Sequence, residues 1–209
     1  MLRMRRESWG FAIGSLLFAL GAWPGYADLV GERFDNLTYF VGSLFFTAAG
    51  YIQLWLSGRP VPGAESHRIE RWDYWSAAVQ FAGTLLFNIS TGAALIVNLT
   101  YDEADRWIWR PDVFGSAAFL IASALAVLAT TDTDKLWDPR ARNWLSSWLN
   151  MIGSIAFGVS AIGAYVDPSS GELHNATTAN LGTFVGALCF LVAALLVLPP
   201  KPAEERVTR

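Results

Sequence analysis

Amides and hydroxyls cluster at two places in an otherwise apolar chain: Gln80, Thr84, Asn88, Ser90 and Thr91 in one stretch, and Ser146, Ser147, Asn150 and Ser154 in another. Amide side chains both donate and accept hydrogen bonds, so inside a membrane they can either ring a small polar ligand or tie helices together. The second role is typically worth about 0.6 to 2 kcal/mol per bond. Gln80 and Asn150 each stand three residues before the glycine of a recurring pentapeptide, which makes their positions equivalent. With Asn88 they form the candidate polar ligand site.

Other chemistry is excluded residue by residue. The two histidines, His67 and His174, fall in segments assigned to opposite faces of a membrane, which rules out a two-histidine metal site. Cys189 is the single cysteine, so neither a disulfide framework nor a cysteine metal site can form. HExxH, GxSxG, CxxC, P-loop and GxGxxG patterns are absent. The acidic run Asp102, Glu103, Asp105 lacks the spacing and glycine turn of a calcium loop. No ionisable group lies inside the long charge-free windows, which disfavours proton-coupled transport, pumping and voltage sensing. It also leaves an intramembrane serine nucleophile without a base. A sequence pI near 5.3 and dispersed basic residues argue against nucleic-acid binding. The expectation is a protein with no catalytic, cofactor or metal residues, not an enzyme, whose partners are membrane lipids, a second copy, or a larger membrane complex.

The elements that must position these residues are set by hydropathy. Of 209 residues, 53% are hydrophobic and only 16% charged. Charge-free windows cover 8–27, 36–58, 74–101, 113–131, 143–166 and 173–200. A membrane-crossing helix needs roughly 20 mainly apolar residues, and backbone groups in lipid must be satisfied within the segment. The fold class is therefore all-α, a polytopic membrane protein of six transmembrane helices. The first window could alternatively be a signal peptide behind Arg3, Arg5 and Arg6, but it lacks a small-x-small cleavage site. With the N-terminus cytoplasmic, all of the 15 Lys and Arg except Arg33, Arg106 and Arg110 fall on the inner side. The positive-inside rule then places both termini in the cytoplasm of a bacterium, with the chain in the inner membrane. The ten tryptophans sit near segment ends, as an interfacial belt would.

Each window carries the pentapeptide Gly-(Ser/Thr/Ala)-x-x-Phe: Gly14 to Phe18, Gly42 to Phe46, Gly83 to Phe87, Gly115 to Phe119, Gly153 to Phe157 and Gly186 to Phe190. Residues four apart share one helix face, so the glycine offers a notch and the phenylalanine a protrusion for helix packing. The spacing predicts a layer of the six phenylalanines near the midplane, a packed core rather than an aqueous pore. Glycines of odd segments recur after 69 and 70 residues and those of even segments after 73 and 71. One transmembrane domain, 1–209, built as three tandem helical hairpins at roughly 8–57, 74–130 and 143–198, follows from that period. A three-plus-three inverted repeat is the alternative. The pairs Gly10 with Gly14 and Gly182 with Gly186 add GxxxG ridges that suit intramolecular or dimer contacts. Asn36, Asp73, Asp112 and Asn143 are placed as helix N-caps, residues 100–111 as an outer interfacial loop, and Pro199-Pro200 as the stop of the last span.

The segments Phe40-Val41-Gly42-Ser43-Leu44-Phe45-Phe46 and Trp109-Arg110-Pro111-Asp112-Val113-Phe114-Gly115-Ser116-Ala117-Ala118-Phe119 resemble the small bacterial membrane domain called YrhK-like, whose helical hairpins carry similar Gly-Ser-x-x-Phe cores. The resemblance is clearest over residues 36–57 and 75–130. It implies a helical membrane protein, no activity, and no active-site residues. The functional expectation is a non-enzymatic structural or accessory subunit, with a carrier or channel for a small neutral or lipidic substrate as the alternative and a membrane enzyme third.

Overall fold

The computed structural model of the protein describes residues 2–56, 58, 61–131, 138–168 and 173–198. Trp137 and Pro199-Pro200 lie outside the described residues. Helix α1 (Leu2–Gly21) ends where Pro24 and the left-handed Gly25 (φ 84°) turn the chain. A short α2 (Tyr26–Val30) and a second left-handed glycine, Gly31, lead into α3 (Glu32–Tyr51), which is extended by a wider π-helical turn, Ile52–Leu56. Next comes α4 (Arg68–Ala93), where the backbone N–H of its N-cap His67 donates to the Glu70 carboxylate at 3.2 Å.

Thr100 and Glu103 form a reciprocal capping box that starts α5 (Tyr101–Ala104). From there the helix runs through a second π-helical turn, Asp105–Trp109, into α6 (Arg110–Thr130) without a break. Two further helices follow, α7 (Arg142–Gly163) and α8 (Ala176–Leu196), the last capped by Asn175, whose side-chain oxygen accepts the Thr178 N–H at 2.9 Å.

Except for α8, the long helices begin earlier than their charge-free windows. Asn36, Asp73, Asp112 and Asn143 all lie inside helices and cap none of them. The expected outer loop 100–111 is helical from Tyr101 onward. A change in charge marks where side chains leave hydrocarbon, while the backbone ladder continues into the interface for as long as no residue interrupts it.

Among the described residues, four helices are long and apolar enough to cross a membrane: Glu32–Trp55, Tyr101–Thr130, Arg142–Gly163 and Ala176–Leu196. At 20 and 26 residues, α1 and α4 match them in length but carry more polar positions. The six long helices close into a ring of antiparallel neighbours. The most extensive contacts are α1 with α3, α4 with α6 and α7 with α8, and the ring is completed by α3 on α4, α6 on α7 and α8 on α1.

The packing is inside out relative to a water-soluble bundle. Leu16, Leu44, Ile89, Ile121, Ile155 and Leu188 are exposed on the outer surface, whereas Ser15, Ser43, Thr84 and Ser154 are completely buried. Such a continuous apolar exterior is what lipid-facing helices require. Trp9, Trp23, Trp55, Trp75, Trp107 and Trp148 are exposed, but Trp144 is buried.

Candidate functional site

At the centre of the ring the six pentapeptide phenylalanines, Phe18, Phe46, Phe87, Phe119, Phe157 and Phe190, are all at most 5% exposed. Their rings form two stacked triangles. Phe18, Phe87 and Phe157, from α1, α4 and α7, have centroids 6.0 to 6.3 Å apart. Phe46, Phe119 and Phe190, from α3, α6 and α8, lie 5.5 to 6.3 Å apart. Edge contacts or tilted contacts of 5.3, 5.2 and 5.6 Å join the triangles within each helix pair. Ring edges against ring faces are the favoured aromatic geometry, worth about 0.5 to 1.5 kcal/mol per pair beyond burial.

The glycines explain how six rings fit. Within each pair the glycine of one helix receives the phenylalanine of the other, reciprocally. A Cβ on Gly42 would stand 2.8 Å from the Phe18 ring, and one on Gly14 would stand 3.2 Å from Phe46 and 2.9 Å from the Gly42 carbonyl oxygen. Gly83 meets Phe119 at 2.9 Å and Gly115 meets Phe87 at 3.4 Å. Gly153 meets Phe190 at 2.7 Å and Gly186 meets Phe157 at 3.0 Å. Gly10 and Gly182 also pack within the chain, against Ala49 and Ala156 respectively.

Hydroxyls beside the glycines tie neighbouring pairs together. The Ser154 hydroxyl donates to the Phe119 carbonyl at 3.1 Å and lies 2.9 Å from Ser123, while Ser43 lies 3.0 Å from Thr91.

On one side of the aromatic core a polar cavity of about 260 Å³ opens at the end where α1, α4 and α7 begin. Every long helix or its extension contributes to it: Ser8, Gln53, Gln80, Ala126, Asn150 and Ala194 are examples. Phe11 and Phe190 line its floor, and Glu7 and Asp73 bring carboxylates to its wall. Gln80 and Asn150 therefore share one cavity, on α4 and α7, each half-buried. Ser76 and Ser146 also line it, but their hydroxyls donate to the carbonyls of Ala122 at 2.8 Å and Ala193 at 3.1 Å and so fasten α4 to α6 and α7 to α8.

Asn88 does not line this cavity. Two turns further along α4, its amide donates to the Thr47 hydroxyl at 2.8 Å and serves the seam between α3 and α4. Glu7 stands just outside a charge-free window and carries no signal of its own in the sequence, while Asp73 reads there as a helix N-cap rather than as a cavity carboxylate. That α1 and α4 both start at this end was the available signal.

A second cavity, of about 320 Å³, lies at the opposite end of the bundle and is lined by Trp109, Asp112, Ser160 and Thr183 among others. The phenylalanine core separates the two. Among the described residues no group of three His, Cys, Asp or Glu side chains is arranged to hold a metal ion. The fold defines the class, an all-helical protein with, among the described residues, four helices long and apolar enough to cross a membrane. No protein-family model matches the chain, and no curated protein or solved structure matches it either.

Proposed function

We propose that the protein is a six-span integral membrane protein of the bacterial inner membrane, built as three tandem hairpins, that acts as a non-enzymatic structural or accessory subunit. The observation that carries this reading is the closed double triangle of phenylalanines, which fills the axis between the two cavities. Support for six spans comes from the ring: α1 and α4 have the length of their neighbours and supply two of the six rings at the same level. The matching Gly-to-Phe exchange in all three pairs supports the tandem repeat and a near-threefold arrangement. The YrhK-like resemblance enters only through the Gly-Ser-x-x-Phe segments, and it implies no activity. The charge asymmetry supports cytoplasmic termini, an orientation in which the polar cavity faces inward.

Purification in mild detergent followed by native mass spectrometry tests the assignment. A stoichiometric protein partner or a second copy is the expected result. A solitary monomer without partner or bound lipid refutes the accessory role.

The second reading, a carrier for a small neutral solute, is favoured by one feature, the convergence of Gln80 and Asn150 on a cavity lined by all six helices. Proteoliposomes separate the two. The plug reading expects no solute flux above that of empty vesicles, and flux abolished by Gln80→Leu establishes the carrier.

A further inference from the structure

The cavity at the far end of the bundle has a chemistry that the structural role leaves unused. Its volume, about 320 Å³, falls at the small end of the roughly 300 to 1,000 Å³ typical of small-molecule sites. Ile108, Val166 and Leu173 make much of the wall apolar, and Tyr101 and Trp109 add aromatic surface. Trp109 is held in place. Its indole N–H donates to the Ala161 carbonyl at 2.9 Å, and its ring meets Tyr165 edge-on at 5.0 Å.

Into this setting the chain places the Asp112 carboxylate. An aspartate at the free start of a helix would be served by unpaired backbone N–H groups. Asp112 has no such service, because the helix runs unbroken from Tyr101 and Asp112 sits about three turns inside it. Asp112 is half-buried, and the cavity supplies the space beside it. Among the described residues no cation or hydrogen-bond donor compensates its burial. The nearby Arg110 is taken by Asp105, which also lines the cavity, at 2.7 Å. On the α3 side the group that senses the Asp112 charge is Tyr39, which brings no positive charge.

The backbone is specialised at the same place. Pro111 cannot donate to the helical ladder and its ring crowds the carbonyl one turn back. The π-helical turn at Asp105–Trp109 absorbs that conflict and presents Asp105, Ile108 and Trp109 to the cavity. Such single π-helical turns recur at functional sites.

A carboxylate enclosed in a largely apolar, aromatic-walled chamber calls for a positive partner. A metal ion would need several oxygen ligands gathered around it in place of its water, and among the described residues no group of three His, Cys, Asp or Glu side chains is arranged to hold one. An ammonium group needs only one counter-charge and aromatic faces. We propose that this cavity binds a small organic cation of the ammonium type, with Asp112 as its counter-ion and Trp109 and Tyr101 as aromatic walls. The site is independent of the accessory role, since it requires no partner protein.

Full-length protein in lipid nanodiscs is titrated with radiolabelled choline, and the neutral isostere 3,3-dimethyl-1-butanol is used as competitor. Saturable binding is expected, with the uncharged analogue weaker by about ten-fold or more. Asp112→Asn lowers choline affinity by at least about ten-fold and removes the preference for charge, whereas Asp102→Asn, on the exposed face of α5, leaves both unchanged. Absence of saturable choline binding, equal competition by the neutral isostere, or an Asp112→Asn protein that binds like the parent overturns the proposal. Because the isostere comparison uses the parent protein alone, the test holds even if the variant fails to fold.

Discussion

Gly153 is a position at which one methyl group should do substantial damage. A Cβ there would lie 2.7 Å from Phe190 Cδ2, 2.9 Å from Cε2 and 3.0 Å from the Gly186 carbonyl oxygen. Swinging the Phe190 ring aside would give up its contacts with Phe157 and Phe119, 5.6 and 5.5 Å away, centroid to centroid. Backing α7 off instead would break the reciprocal seat of Phe157 on Gly186.

Overpacking of a tight core costs about 1 to 3 kcal/mol, and this site belongs at the upper end. Replacing glycine by alanine in a helix interior returns about 1 kcal/mol. The net expectation for Gly153→Ala is therefore a loss of about 2 kcal/mol. Gly158, on the same helix, has nothing within 4 Å of its built Cβ, so Gly158→Ala should gain about 1 kcal/mol. Two identical methyl additions on α7 thus differ by about 3 kcal/mol. Reversible unfolding in mixed micelles, followed by far-ultraviolet circular dichroism, measures both. Adding Phe190→Leu to Gly153→Ala should recover part of the loss, a coupling that a double-mutant cycle reads directly. Equal stability of the two alanine variants would refute the assignment of Gly153 as the seat of Phe190.

Two further outcomes follow from the same geometry. Asn88→Ala and Thr47→Val each remove the one bond between their side chains, so a double-mutant cycle should give a coupling of about 0.6 to 1.7 kcal/mol. Strict additivity would show that the bond contributes nothing to the α3–α4 seam. In a Cys189→Ser background, a cysteine at Asp102 should react with a membrane-impermeant maleimide in intact cells, whereas one at Glu65 should react only after the membrane is permeabilised. Labelling of both from the same side would mean that α4 does not cross, leaving the four apolar helices as the spans.

The pentapeptide was readable because a helix puts residues four apart on one face and lipid gives small residues their value there. Glycine-to-phenylalanine spacing thus identified the residues that meet at the centre. Helix ends were not readable from charge. Asp112 was expected at a helix start and lies inside a continuous helix, because the π-helical turn before Pro111 lets the helix pass a residue that ordinarily interrupts one. Of the three candidate polar residues, Gln80 and Asn150 share a cavity, while Asn88 faces Thr47. All three are amides in equally apolar surroundings, and their difference lies in rotation about the helix axis relative to neighbours that are distant in sequence.

The sequence by itself determined that the chain is helical, apolar enough for a membrane, and armed in each segment with a notch and a ring to fill one. It could do so because these properties are local, fixed by composition and by the helical period. Only the tertiary structure decided that each ring fills the notch of its antiparallel partner, that six rings close into two triangles, and that Asp112 and the pair Gln80 and Asn150 face separate cavities. The reason is that helix rotation and pairing are set by the simultaneous fit of all six surfaces, a constraint that no single segment carries.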